Sequence, residues 1–297
     1  MKKELYQAVT DTIIKDLEFG IRTWMQPWIV GGEGGQLNRP LRANGEAYRG
    51  INVLVLWGAA AENGFSSPTW MSFKQAQDIG GNVRKGERGT LVVYAGTLTR
   101  TKMNEQTGEE SERGIPFLKS YSVFNADQIE GLPAKYIKPP VAMLNPAQRI
   151  EQVDKFIAAA GAEVRNDGAM AFYSPERDLV QMPAFDAFRE PEGYYATLLH
   201  ELTHWTRHKS RLDRSFGRER WGDEGYAAEE LVAELGAAFL CADLQIAPTV
   251  RKDHAAYIGS WLKVLKDDKR AIFTAASYAQ KAADYLHGLQ QTKEATA

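Results

Sequence analysis

Cysteine is almost missing from this sequence: Cys241 is the one thiol in 297 residues. A lone thiol excludes an intrachain disulfide and suits a reducing compartment. Nowhere do 18 apolar residues run together, so no segment is expected to span a bilayer. The opening stretch MKKELYQAVTDTIIKDLEF carries charges throughout and has no apolar stretch of the kind a secretory signal needs. The expectation is a cytoplasmic protein with no membrane partner. An excess of one charge is missing as well, because the formal net charge is only −2. Residues 1–140 hold 17 Lys+Arg against 15 Asp+Glu, and the remainder 19 against 23. The sign suits phosphate contact by the first part, although an ordinary solvated surface gives such a difference too. Histidine is equally scarce, with five in the chain.

What is present describes an ordinary globular chain, 44% hydrophobic and 25% charged, long enough for two domains of about 100–200 residues. Leu5, Val9, Ile13, Ile14 and Leu17 recur at helical spacing and predict an amphipathic opening helix. Asn44-Gly45 marks a turn, and Ser72 is placed to cap a short helix. The segment after VRKGERG reads as a strand with Leu91, Val93 and Tyr94 as the candidates for burial. Residues 102–113 (KMNEQTGEESER) read as an exposed hairpin tip, and FLKSYSVFNADQI as a further strand. Pro133, Pro139, Pro140 and Pro146 crowd one short stretch and predict a linker. The fold class expected is α+β in two domains. A small-sheet domain covers residues 1–132, the Pro-rich linker 133–147, and a mainly helical domain with a short edge sheet 148–297. Helices are expected over 147–160, 192–208, 225–243 and 252–290, interrupted by one extended segment at 171–183.

The pattern with the most chemistry is His200-Glu201-Leu202-Thr203-His204. Residues four apart share one helix face, so both imidazoles can reach a single Zn²⁺ at about 2.0–2.1 Å. Glu201 is turned beside that position, where it can act as general base on a water and return the proton to a leaving amine. A catalytic zinc takes three protein ligands and leaves one position open. The third is expected from the helix YAAEELVAELGAAFL, where Glu229 and Glu230 both lie 25–26 residues beyond His204. Apolar residues surround these acids, and acids on a buried helix want a cation. Spacing does not choose between the two. Glu230 shares a face with Glu234, which can accept the free ring N–H of a ligand histidine. Glu229 shares a side with Gly236, which would let two helices approach closely. This is a gluzincin-like arrangement, and a His₂Glu set also accepts Mn²⁺, Co²⁺ or Ni²⁺. The segment 178–183 has the form of an edge strand that could hold an extended substrate. His254 and Tyr226 are candidate donors to the oxyanion of a tetrahedral intermediate.

The first 70 residues carry Trp24, Trp28, Trp57 and Trp70, four of the seven tryptophans. Trp57 and Trp70 sit in apolar surroundings and read as core. Trp24 and Trp28, with Tyr48 and the cations Arg39, Arg42, Arg49, Lys74, Arg84, Lys85 and Arg88, are candidates for single-stranded DNA, which needs ring faces beside positive charge.

The segments TWMQPW, NGEAYRGINVLVLW, TWMSFKQAQDIGGNVRKGERGTLVVY and VFNADQIEGLP resemble the N-terminal domain of ArdC-type antirestriction proteins, a domain also fused to conjugative primases. YYATLLHELTHWT, GYAAEELVAELGAAFL and AYIGSWLKVLKDDKRAIFTAASYAQKAADYL resemble the zincin-like metallopeptidase domain that accompanies it. The resemblance covers nearly the whole chain. It implies a plasmid- or phage-borne protein that binds single-stranded DNA and protects incoming DNA from host restriction. It also implies a metallopeptidase domain. Its substrate is unknown, and the reading adopted is a host protein near that DNA, with the restriction system as a candidate source. Two rival readings stand beside it: a DNA-occluding protein with a purely structural metal, and a conventional zinc peptidase with no nucleic-acid role.

Overall fold

The structure, a computed structural model, describes residues 2–18, 38–103, 110–137, 144–217, 223–247 and 254–294. Helix α1 (Lys2–Glu18) turns Val9, Ile13, Ile14 and Leu17 inward. Strand β1 (Leu41–Arg42) leads to α2 (Ile51–Asn63), an apolar helix stopped by Gly64 in the left-handed conformation at φ 69°. Then follow β2 (Thr69–Met71), α3 (Phe73–Asp78) and β3 (Asn82–Val83). Ser72 caps α3 in a reciprocal box with Gln75. Two long strands, β4 (Thr90–Met103) and β5 (Glu110–Asn125), form one antiparallel ribbon, and β6 (Ile129–Glu130) closes the first half. One sheet has the order β1-β2-β5-β4, and β3 pairs with β6 alone. The strands of the ribbon occupy both ends of the stretch expected as a polar tip.

The second half begins with α4 (Pro146–Ala160), capped by Asn145 and ended by Gly161. Strands β7 (Glu163–Asn166), β8 (Phe172–Ser174) and β9 (Leu179–Met182) form a sheet of order β7-β9-β8. The expected single extended segment is thus a hairpin. Its 178–183 limb is the central strand, paired parallel to β7 and antiparallel to β8. Its backbone groups are taken by both neighbours, so it is no edge for a substrate. Helix α5 (Pro191–Trp205) packs against β8 and β9 of this sheet, and α6 (Glu224–Asp243) packs on α5, followed by α7 (His254–Asp267) and α8 (Ala271–Glu294). The span 252–290 is therefore two helices. Asp268 breaks it by accepting the Arg270 amide at 2.9 Å, an N-terminal turn that competes with helix continuation.

The fold is α+β in two domains whose apolar faces merge. Val9 and Leu17 of α1, Trp57 of α2 and Val92 of β4 belong to one buried cluster with Leu199, Phe239, Trp261 and Ala276. Polar ties fix the same seam. The Thr10 hydroxyl donates to the Lys269 carbonyl at 2.7 Å, and the Trp57 indole packs on Phe239 with centroids 5.9 Å apart. Among the described residues, no helix is long and apolar enough to cross a membrane.

Candidate metal centre

Pro191 starts α5 where its missing N–H costs nothing, and every residue from Gly193 to Trp205 is buried. This rigid helix presents His200 and His204 on one face, ring centroids 4.9 Å apart. Helix α6 can approach closely because Gly236 has no side chain. A Cβ there would stand 2.5 Å from Cγ2 and 2.8 Å from Oγ1 of Thr203. That contact lays the acidic positions of α6 along the imidazoles.

The two histidines use their nitrogens alike. His200 Nε2 lies 3.6 Å from Glu230 Oε2, and His204 Nε2 lies 3.5 Å from Glu230 Oε1. On the other side of each ring, His200 Nδ1 faces Glu234 at 3.6 Å and His204 Nδ1 meets Glu229 at 3.0 Å. His200, His204 and Glu230 each offer one ligand atom within 4.8 Å of the others. Ligand atoms of a tetrahedral ion with bonds of about 2.1 Å are separated by about 3.4 Å, close to the two Nε2–carboxylate distances. The donor chemistry agrees with this geometry. Glu201, Glu229, Glu230 and Glu234 are all buried, and the buried Arg214 guanidinium pairs with Glu229. Such an excess of buried negative charge calls for a further cation.

Glu229 is held differently from Glu230. Arg214 Nε donates to its Oε2 and Nη2 to its Oε1, both at 2.8 Å. The same guanidinium donates to the Thr203 carbonyl at 2.9 Å and the Thr206 hydroxyl at 3.1 Å. Arg214 arrives there because the loop after α5 folds back, with the Arg214 amide bonded to the Arg207 carbonyl at 3.0 Å. Burial opposes the charge on Glu229, but Arg214 and His204 override it and hold its carboxyl at about 2. Burial likewise opposes a proton on His204, and the carboxylates of Glu230 and Glu229 reverse this, raising it to about 10. Glu230 is held well below the usual carboxylate range by the two imidazoles, against its burial. Sequence reasoning missed Arg214 altogether. It sits in RHKSRLDRSFGRER, where nothing distinguishes it from its surface neighbours.

The remaining candidates scatter. Tyr226 is half-buried in the first turn of α6, three and four residues before the two acids. The side chain of His254 lies outside the described residues, as do Trp24 and Trp28. His208 turns away to the Ser210 hydroxyl, 2.8 Å from its Nδ1.

Among the cations of the first half, Lys74, Arg84, Lys85 and Arg88 are exposed. Arg84 pairs with Glu87 at 2.7 Å, and the Gln128 amide donates to the other oxygen of Glu87 at 2.8 Å. Arg42 is partly exposed and pairs with Glu46 at 3.3 Å, and Arg49 pairs with Asp284. Arg39 is no DNA-facing cation. It is buried, makes two hydrogen bonds of 2.9 and 3.1 Å to Asp243, and lies 4.4 Å over the Phe239 ring. Its charge is consumed in joining the two halves. Tyr48 is buried as well, so its ring face is closed to a base.

Comparison with known proteins places the chain. Residues 3–124 match the N-terminal domain of the anti-restriction factor ArdC, and residues 151–278 match a zincin-like metallopeptidase domain. The metal-free crystal structure of the antirestriction ArdC protein from plasmid R388 superposes with a TM-score of 0.80 at 49% identity. That match covers 97% of this chain and 98% of the other. The Mn(II)-bound structure of the same protein gives 0.79 at 47% identity over 96% and 98%. The protein y4eC of Sinorhizobium fredii, itself uncharacterised, is 42% identical over 97% of this chain and 92% of its own length. A DNA primase TraC of Escherichia coli is 37% identical over 98% of this chain, which spans only 28% of that larger protein. The chain belongs to the ArdC family of antirestriction proteins, with an N-terminal ArdC domain followed by a zincin-like metallopeptidase domain.

Proposed function

We propose that this protein binds single-stranded DNA, holds a divalent cation between His200, His204 and Glu230, and hydrolyses a peptide bond with Glu201 as general base. In this reading residues 1–132 bind DNA, 133–147 link, and 148–297 carry the hydrolytic centre. The protein works in the cytoplasm, protects incoming plasmid DNA from restriction and cleaves a host protein near that DNA. The observation that carries the hydrolytic part is the shared orientation of the two imidazoles. Both Nε2 atoms face the one carboxylate of Glu230, while each Nδ1 faces an acid of its own, Glu234 beside His200 and Glu229 beside His204. That is the layout of a ligand set with its supporting carboxylates. Zn²⁺ suits these donors, and the Mn(II)-bound relative supports Mn²⁺ as an alternative.

A divalent cation at this position supplies Lewis acidity, which makes water more acidic and a carbonyl more electrophilic. The rest is done by the chain. Glu229 fixes the ring orientation of His204, Arg214 fixes Glu229 in turn, and Glu234 stands 3.6 Å from His200 Nδ1 as its nearest acid on that side. Glu201, buried beside His200 in sequence, accepts a proton from the attacking water as the new C–O bond forms. It then delivers that proton to the amine as the C–N bond breaks.

The test uses the full-length protein with Glu201→Gln, a change that keeps both imidazoles and removes the base. Transformation of a restricting host with unmodified plasmid DNA should lose its protection, while metal content stays at wild-type level. Full protection by the metal-loaded variant would overturn the hydrolytic role and assign protection to occlusion of the strand.

A further inference from the structure

The β4–β5 ribbon carries a one-sided display of rings. In an antiparallel ladder, directly opposed residues share a face. The pairs Val92↔Tyr121, Tyr94↔Lys119 and Gly96↔Phe117 therefore follow one another on the same side. Val92 is fully buried at the root, but Tyr94 and Tyr121 are 55% and 42% exposed. Phe117 is half-buried, and its ring lies 5.7 Å from Tyr94 between centroids. Opposite it stands Gly96, where a Cβ would come within 2.7 Å of the Phe117 ring. Glycine is what lets that ring lie across β4. Lys119 sits among the three rings, its ammonium 5.3 Å from the Phe117 centroid.

Beside the root of this strip Tyr48 is buried, and the Arg42 guanidinium lies 5.4 Å over its ring. The other side of β5 carries exposed Ser120 and Ser122 at the alternate positions. A solvated ribbon would place its rings toward a core and its serines anywhere. Here three aromatic side chains crowd one open face beside two cations.

We infer that this face, with Tyr94, Phe117 and Tyr121 as stacking rings and Lys119 and Arg42 as phosphate contacts, is where the chain takes single-stranded nucleic acid. The inference rests on the DNA-binding reading above and adds the location and the mode. Tyr121 and Phe117, four residues apart on one strand, are about 13 Å apart, with Tyr94 between them across the ladder. Unstacked bases offer flat π-faces to such rings irrespective of sequence, whereas a duplex hides those faces within its own stack. The cations supply the charge complementarity that a purely apolar protein partner would not require.

The experiment is a fluorescence-anisotropy titration of full-length protein with a labelled oligothymidylate and with an abasic strand of equal length. Wild type should bind the base-bearing strand at least tenfold more tightly. Tyr94→Ala and the double variant Tyr94→Ala/Tyr121→Ala should lose that advantage progressively. Tyr94→Phe should keep it, and Lys119→Ala should lower the salt slope by about one. Equal binding of both strands by wild type would overturn the stacking mode without any variant having to fold. Wild-type affinity in the folded double variant would move the site elsewhere and leave DNA binding standing. Binding of neither strand would remove the DNA-binding reading and this inference together.

Discussion

Glu229 and Glu230, adjacent on α6, address opposite nitrogens of one imidazole: His204 Nδ1 lies 3.0 Å from Glu229, and His204 Nε2 lies 3.5 Å from Glu230. Successive helical positions are rotated by about 100°, which lets two neighbouring carboxylates flank a single ring. The same relationship separates their roles. Glu230 reaches both histidines, whereas Glu229 is gripped by Arg214.

Replacing each acid by glutamine should therefore have unequal effects. Glu230→Gln removes a proposed ligand and should weaken Zn²⁺ or Mn²⁺ binding by more than roughly 100-fold. Glu229→Gln disturbs only a supporting carboxylate and should cost about 10–100-fold. Chelator competition with the purified variants measures both, and equal losses would contradict the assignment.

Arg214→Met should destabilise the fold by about 3–5 kcal/mol, because it strands a buried carboxylate without its cation. Urea denaturation of the metal-free protein reads this directly. Arg214→Lys should recover only part of the loss, since a lysine lacks the planar fork that spans both oxygens of Glu229. A Met variant as stable as wild type would show that water satisfies Glu229 equally well.

Gly236→Ala forces a methyl against Thr203 and should cost about 1–3 kcal/mol. Thr203→Ala removes the Cγ2 and Oγ1 atoms that the methyl meets. The double variant Gly236→Ala/Thr203→Ala should thus be more stable than the sum of the single changes predicts. Additive effects in a denaturation cycle would mean the helices shift apart instead.

Asp243 gives the seam between the halves an acid sensitivity. Burial would raise its carboxyl, but the Arg39 guanidinium and the His287 ring hold it below the ordinary carboxylate value. A depressed folded value means stability that is fully present above the unfolded value near 4 and disappears as pH falls below it. The gap in unfolding midpoint between wild type and Asp243→Asn should be widest at pH 7 and narrow progressively as the pH falls below about 4. A gap between them that is unchanged with pH would rule out this contribution.

Some of this was legible without coordinates. The i, i+4 histidines with a glutamate between them, and the apolar run around the later acids, put imidazoles and carboxylates on two buried helices by periodicity alone. Ser72 announced its helix, because capping is a local hydrogen bond between residues three apart. The ribbon was harder to read. The stretch Leu91 to Tyr94 alternates poorly: Val92 and Val93 are both buried, while Leu91 and Tyr94 face solvent. That assignment depends on which helix covers which part of each face.

The sequence by itself determined most of the helices and the residue types of the candidate metal centre, since these follow from short-range spacing, and its segments carried the resemblance to the family. Only the tertiary structure separated Glu229 from Glu230, drew Arg214 out of a basic run, and committed Arg39 to Asp243 across 204 residues. Those decisions depend on the angle and distance at which distant helices meet. Helical periodicity gives the face a side chain occupies, and only close packing gives what stands opposite it.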